Sequence, residues 1–81
     1  METKSTTTTL RQVVKEAFED ILGRPLHDNE WDDERRTLAI DSLEHLTMIM
    51  NVEKALGIKI NDELSEDLTS PNKVLKYLES L

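Results

Sequence analysis

The chain contains no cysteine, so it can build neither a disulfide framework nor a thiolate metal site, and it brings no thiol of its own to thioester chemistry. Any thiol would have to be added to it. One Trp, one Tyr and one Phe make aromatics only 4% of the residues, too few for the stacking platforms that hold single-stranded nucleic acid. Basic side chains are also scarce: 10 Lys and Arg stand against 17 Asp and Glu, giving a net charge of −7. A phosphate backbone needs clustered cations, so nucleic acid is a poor partner and proteins with basic faces are better ones. No run of apolar residues is long enough to span or insert into a membrane.

What is present describes a soluble globular chain, with 37% hydrophobic and 33% charged residues. Eighty-one residues make one domain at most. A chain this short buries only about two thirds of its surface, which suits a compact all-α bundle. Residues 1–9 are polar and threonine-rich, with neither the apolar stretch of a secretion signal nor an Arg-rich amphipathic pattern. They read as a disordered lead-in to a single domain over 10–81, and a cytoplasmic monomer is the expectation.

From Leu10 the apolar residues Leu10, Val13, Val14, Ala17, Phe18 and Ile21 follow the i, i+3, i+4, i+7 series of an amphipathic helix. Thr9 and Gln12 stand at capping-box spacing, and Gly23 followed by Pro25 stops the helix. Residues 24–40 form a long connection with an acidic centre, Asp28 through Glu34, in which Leu26, Trp31, Leu38 and Ile40 are the candidate anchors. A second helix runs from Ser42 to Leu56 and closes at Gly57. Ile58 and Ile60 alternate in an extended segment, Asn61 caps a short third helix holding Leu64 and Leu68, and Ser70-Pro71 opens a last helix with Val74, Leu75, Leu78 and Leu81 on one face.

Asp41-Ser42-Leu43 is the most informative stretch. Asp41 is a good N-cap, which puts the Ser42 hydroxyl in the first helical turn, where free backbone N–H groups and the helix dipole favour a phosphate. The second helix also carries two apolar stripes. Met48, Ile49, Val52 and Leu56 form one; Leu43, Leu46 and Met50 lie roughly 140° away at about 100° per residue. A two-layer bundle needs only the first for its core. The second reads as either a wider core or a docking surface beside Ser42, where methionine suits several partners.

Two catalytic or metal readings compete with this one. His45, one turn from Ser42, could be cast as a general base, but it points to the Ile49 and Val52 side, nothing is placed to orient it, and a half-buried structural histidine is preferred. The acidic run resembles a calcium loop only loosely, since Asp33 occupies the position of the turn glycine and Ala39 that of the bidentate glutamate. Neither a catalytic residue nor a metal site is expected.

From Leu38 to Leu78, L-A-I-D-S-L-E-H-L-T-M-I-M-N-V-E-K-A-L-G-I-K-I-N-D-E-L-S-E-D-L-T-S-P-N-K-V-L-K-Y-L resembles the acyl carrier proteins. The first helix and the long loop agree with that family in pattern. The resemblance implies a four-helix bundle with a short third helix, and 4′-phosphopantetheine attached covalently at Ser42 by a phosphopantetheinyl transferase using coenzyme A and Mg²⁺. It further implies that Asp41 holds the helix start and faces the transferase. Leu43, Leu46 and Met50 would be the docking surface, and Glu44 and Glu53 would pair with the basic faces of acyl-loading, elongating or transferring enzymes. Fatty acid, lipid or polyketide-type synthesis is then the setting. A sheltering cavity that small acyl groups enter by displacing apolar side chains, Ile49, Val52, Leu64 and Leu68 among them, is a further expectation. Thr47 and Lys54 stand where carriers of primary fatty acid synthesis keep acids, Ala39 where glycine is common and Asn61 where proline is frequent, which implies a specialised carrier. The alternatives are an aminoacyl or peptidyl carrier, such as a D-alanyl carrier, and an unmodified helical interaction module.

Overall fold

The computed structural model describes residues 9–81, and within them the chain is all-helical. In order come α1 (Leu10–Leu22), α2 (Ser42–Leu56), α3 (Asp62–Ser65) and α4 (Pro71–Glu79), with one turn of 3₁₀ helix at Asp28–Glu30 inside the long connection. The four-helix architecture with a short third helix is the one expected. The lead-in proposed for residues 1–9 falls outside the described residues except for Thr9.

Each helix starts and stops where side-chain chemistry allows it. Thr9 accepts the Gln12 N–H at 3.1 Å, but the Gln12 side chain bonds forward to Glu16, so the cap is one-sided instead of the expected box. Gly23 and Gly57 close α1 and α2 in the left-handed conformation, at φ 69° and 66°. Ser70 caps α4 with Pro71 in its first turn, where the missing N–H costs nothing.

α1 lies against both α2 and α4. The core joins Val13, Val14, Ala17 and Phe18 of α1 to Met48, Ile49 and Val52 of α2 and Val74 and Leu78 of α4. All four loop anchors, Leu26, Trp31, Leu38 and Ile40, are buried with them. α3 contributes no apolar residue to this cluster; Ile60 before it and Leu68 after it do. Leu64, expected to face inward, is 43% exposed, and Ser65 is buried instead, because the Asn61 cap sets the helix one position round from the Leu64–Leu68 reading. Leu68 itself lies beyond α3, and Leu81 beyond α4 is exposed.

The long connection is held down by contacts of its own. The Arg24 guanidinium grips both oxygens of Glu30 at 2.9 Å, and this pairing, followed by the His27 N–H, lowers the Glu30 pKa to about 2. Arg11 lies over the Trp31 ring, 4.0 Å from its centroid. Backbone bonds from Arg35 N to Thr69 O (2.7 Å) and from Asn72 N to Trp31 O (2.8 Å) latch the loop to the start of α4. Glu34 accepts from Thr69 Oγ1 and pairs with Lys73 at 2.9 Å, which keeps its carboxyl below the usual range.

Candidate functional site

A tight turn delivers the serine. Ile40 N bonds to Arg35 O (2.9 Å) and Ala39 N to Arg36 O (3.2 Å), the paired bonds of a Schellman closure, with Ala39 in the left-handed position at φ 60°. A side chain is strained there, which is the physical sense of the glycine expected at this place. Leu38 and Ile40 are buried on either side, so the backbone direction into Asp41 is fixed.

Asp41 and Glu44 then form a reciprocal capping box: Glu44 N donates to Asp41 Oδ1 at 2.8 Å, and Asp41 N donates to Glu44 Oε1 at 3.0 Å. Ser42 is the first residue of α2 and is exposed. Neither its N–H nor that of Leu43 has an acceptor among the described residues, so both remain available to an anion attached to the Ser42 oxygen. The site therefore fits a phosphodiester: an accessible hydroxyl, free amide donors and the positive end of a 15-residue helix.

The second stripe of α2 faces solvent. Leu43, Leu46 and Met50 are 77%, 51% and 57% exposed, whereas Met48, Ile49 and Val52 are buried. Thr47 and Lys54 continue the outward row at helical spacing, both exposed. Glu53 also has a structural part that its place on the helix did not announce. Its Oε2 accepts the Ile60 N–H at 2.7 Å and its carbonyl accepts Gly57 N and Ile58 N, so it braces the extended segment while its other carboxylate oxygen has no partner among the described residues.

His45 is buried, 5% exposed rather than half-buried, and its Nε2 lies 2.7 Å from the Ser65 carbonyl. A carbonyl only accepts, so Nε2 carries the proton and the ring acts as a strut from α2 to α3. That contact gives the histidine a structural part. Four of the five loop acids are turned to separate partners, Asp28 to Arg11, Glu30 to Arg24, Asp32 to Asn72 and Glu34 to Thr69 and Lys73. Among the described residues no three His, Cys, Asp or Glu side chains converge on a point that could hold a metal.

Beside Ser42 a groove of about 620 Å³ opens between the start of α2 and α3. Its walls include Arg35, His45, Asp62, Ser65, Glu66 and Thr69, and of the apolar stripe only Leu46 reaches it. Ile49, Val52, Leu64 and Leu68, the four residues named for the acyl cavity, are not among those that line this groove. Arg35, Ser65 and Thr69 were not marked by any motif; the one signal for them was proximity in sequence to the Ser42 turn and to the Ser70 cap.

Such a structure, a small bundle presenting one exposed serine at a helix start with no catalytic group around it, has the character of a non-catalytic carrier. Residues 12–78 match the model of the family described as the phosphopantetheine attachment site, and the chain belongs to that family. Carrier domains of this family are not enzymes; they hold 4′-phosphopantetheine covalently on a serine and work with a phosphopantetheinyl transferase and with partner enzymes. None of the curated proteins compared matches the chain. Among the described residues no helix is long and apolar enough to cross a membrane.

Proposed function

We propose that the protein is an acyl carrier, with residues 10–81 as one carrier domain acting in the cytoplasm and Ser42 as the attachment point of the phosphopantetheine arm. The observation that carries this reading is the exposed Ser42 hydroxyl in the first turn of α2, inside the span that matches the family. In the transfer the Ser42 oxygen attacks the phosphorus of coenzyme A that bears pantetheine, forming a phosphodiester. The pyrophosphate bond breaks and adenosine 3′,5′-bisphosphate leaves, while the serine proton passes to a base of the transferase. The bound arm supplies a terminal thiol for thioesters, which the cysteine-free chain lacks.

Asp41 holds the end of α2 that the transferase approaches, and Leu43, Leu46 and Met50 form the row it meets. Their exposure supports a docking role, since a bundle gains nothing from leaving three large apolar side chains in water. Glu44 keeps one carboxylate oxygen outside the capping box and can pair with a basic partner, an exposed contact that steers encounters and weakens with salt. Lys54 at the far end of the row favours partners that carry an acid there. This fits a specialised pathway, in fatty acid, lipid or polyketide-type synthesis, with enzymes of its own.

Incubation with a phosphopantetheinyl transferase, coenzyme A and Mg²⁺, followed by intact mass, tests the proposal. One arm should add to the wild type and none to Ser42→Ala; an unchanged wild-type mass, or an arm on the alanine variant, overturns it. Leu46→Ala and Met50→Ala should fold normally and lower kcat/KM for arm transfer, while equal transfer by both would remove the docking assignment.

A further inference from the structure

Charge changes sign across the outer row of α2. Leu46 lies on the side of the row nearest α3, since it shares a groove wall with Asp62 and Glu66. Lys54 lies about 80° farther round the helix, beyond Met50, and about 18 Å along the axis from Ser42. On the α3 flank Asp62, Glu63, Glu66 and Asp67 are exposed around an exposed Leu64, and none of these acids pairs with a cation among the described residues. Arg35 is the single Lys or Arg in the groove wall, so the flank keeps an excess of acid. The row itself holds no acid. Its one charge is Lys54, exposed and without an ion pair among the described residues, while Glu53 points about 100° away towards α3 and holds the Ile60 N–H.

Resting on the carrier reading, we propose that this face docks a phosphopantetheinyl transferase of matching polarity, with an apolar centre for Leu43, Leu46, Met50 and Leu64, cations against α3 and a carboxylate against Lys54. The four apolar side chains are exposed, and covering them supplies the non-directional part of the attraction. Charge supplies the direction. A partner face that is basic throughout sets a cation against Lys54, and one that is acidic throughout is repelled by α3. Turning a matched partner end for end over the row brings its cations to Lys54 and its carboxylate to α3, so both contacts become repulsive. One orientation satisfies the centre and both charges, and it sets Ser42 at a constant place before the partner's site. Lys54 is thereby a specificity-determining residue that reads the partner far from the reacting oxygen.

The test is arm transfer to the full chain by the transferase of the same organism, with coenzyme A and Mg²⁺, followed by intact mass over time to give kcat and KM. Lys54→Glu and Lys76→Glu change the net charge equally, one at the end of the row and one on α4, which packs against α1. Lys54→Glu should lower kcat/KM roughly fivefold or more, through KM and not kcat, with Lys54→Gln in between and Lys76→Glu unchanged. Glu63→Lys, of opposite sign, should also lower it, and every loss should shrink as salt is raised. Circular dichroism verifies the helicity of each variant. Undiminished transfer to Lys54→Glu, or to Glu63→Lys, overturns the proposed polarity. Equal losses in Lys54→Glu and Lys76→Glu overturn it too, because they report overall charge alone. A wild type that gains no arm is a separate result that removes the carrier reading, and this docking mode with it.

Discussion

His45 and Ser65 are twenty positions apart in sequence, yet the imidazole Nε2 and the Ser65 carbonyl meet at 2.7 Å in the interior. This bond is the polar tie between α2 and a helix of only four residues that brings no apolar side chain to the core. A helix that short has no stability of its own. Its position therefore depends on the tie and on Ile60 and Leu68 at its flanks.

His45→Ala should lower unfolding stability by roughly 2–3 kcal/mol, from the cavity and from the loss of one of the two bonds to the Ser65 carbonyl, which keeps the Leu68 N–H. The check is a urea melt. The same variant, where folded, should still accept the arm at Ser42; complete loss of transfer by folded protein would reinstate the histidine as a base.

Ala39 holds a left-handed conformation that costs an L-residue energy and glycine almost none. After allowing for the greater freedom of glycine in the unfolded chain, Ala39→Gly should stabilise by about 0.5–1 kcal/mol. Ala39→Val should do the reverse, since a β-branched side chain tolerates this conformation least. Thermal midpoints of the three proteins decide the matter, and an unchanged or lowered midpoint in the glycine variant contradicts the strain.

The Arg24–Glu30 clamp makes part of the stability depend on pH. Glu30 titrates at an ordinary 4.5 when unfolded and at about 2 in the fold, chiefly through the Arg24 bond. The unfolded state therefore binds the proton more readily, and the clamp's contribution is complete above about 4.5 and lost as pH falls through about 2. Glu19, held by Lys15 and the Leu26 N–H, and Glu34, held by Thr69 and Lys73, are lowered in the same direction. Urea midpoints across this acid window should fall with pH, and Glu30→Gln should flatten the fall; an identical slope in the variant would show the clamp to be irrelevant.

Glu53 offers a way to tell bracing from docking. Losing its bond to Ile60 N–H in Glu53→Ala should cost about 1.5–3 kcal/mol, the range for a hydrogen bond to a charged group. Glu53→Gln keeps an acceptor without the charge and should cost less. If both variants are as stable as the wild type and both weaken partner binding, the residue belongs to the docking face after all.

Helix positions were legible because they rest on local chemistry: caps at Thr9, Asp41, Asn61 and Ser70, stops at Gly23 and Gly57, and apolar residues at helical spacing. The division of α2 into an inner and an outer stripe was equally readable from periodicity. What sequence could not supply was partner choice over long separations. Glu53 reads as an exposed helical acid until Ile60 is seen to fold back on it, and Leu64 reads as core until the Asn61 cap is seen to set α3 with Ser65 inward and the leucine outward. The groove was hidden for the same reason: Arg35 and Thr69 are joined by a loop-to-α4 latch that no local pattern announces.

Leu43, Leu46, Thr47, Met50 and Lys54 share the 15 residues of α2 with the side chains that hold the bundle together, yet support none of its interior. Substitutions along that outer row can therefore accumulate without unfolding the protein. Which enzymes this carrier serves and whether it folds are thus separately adjustable, a freedom that lets one scaffold be re-addressed to a new clientele.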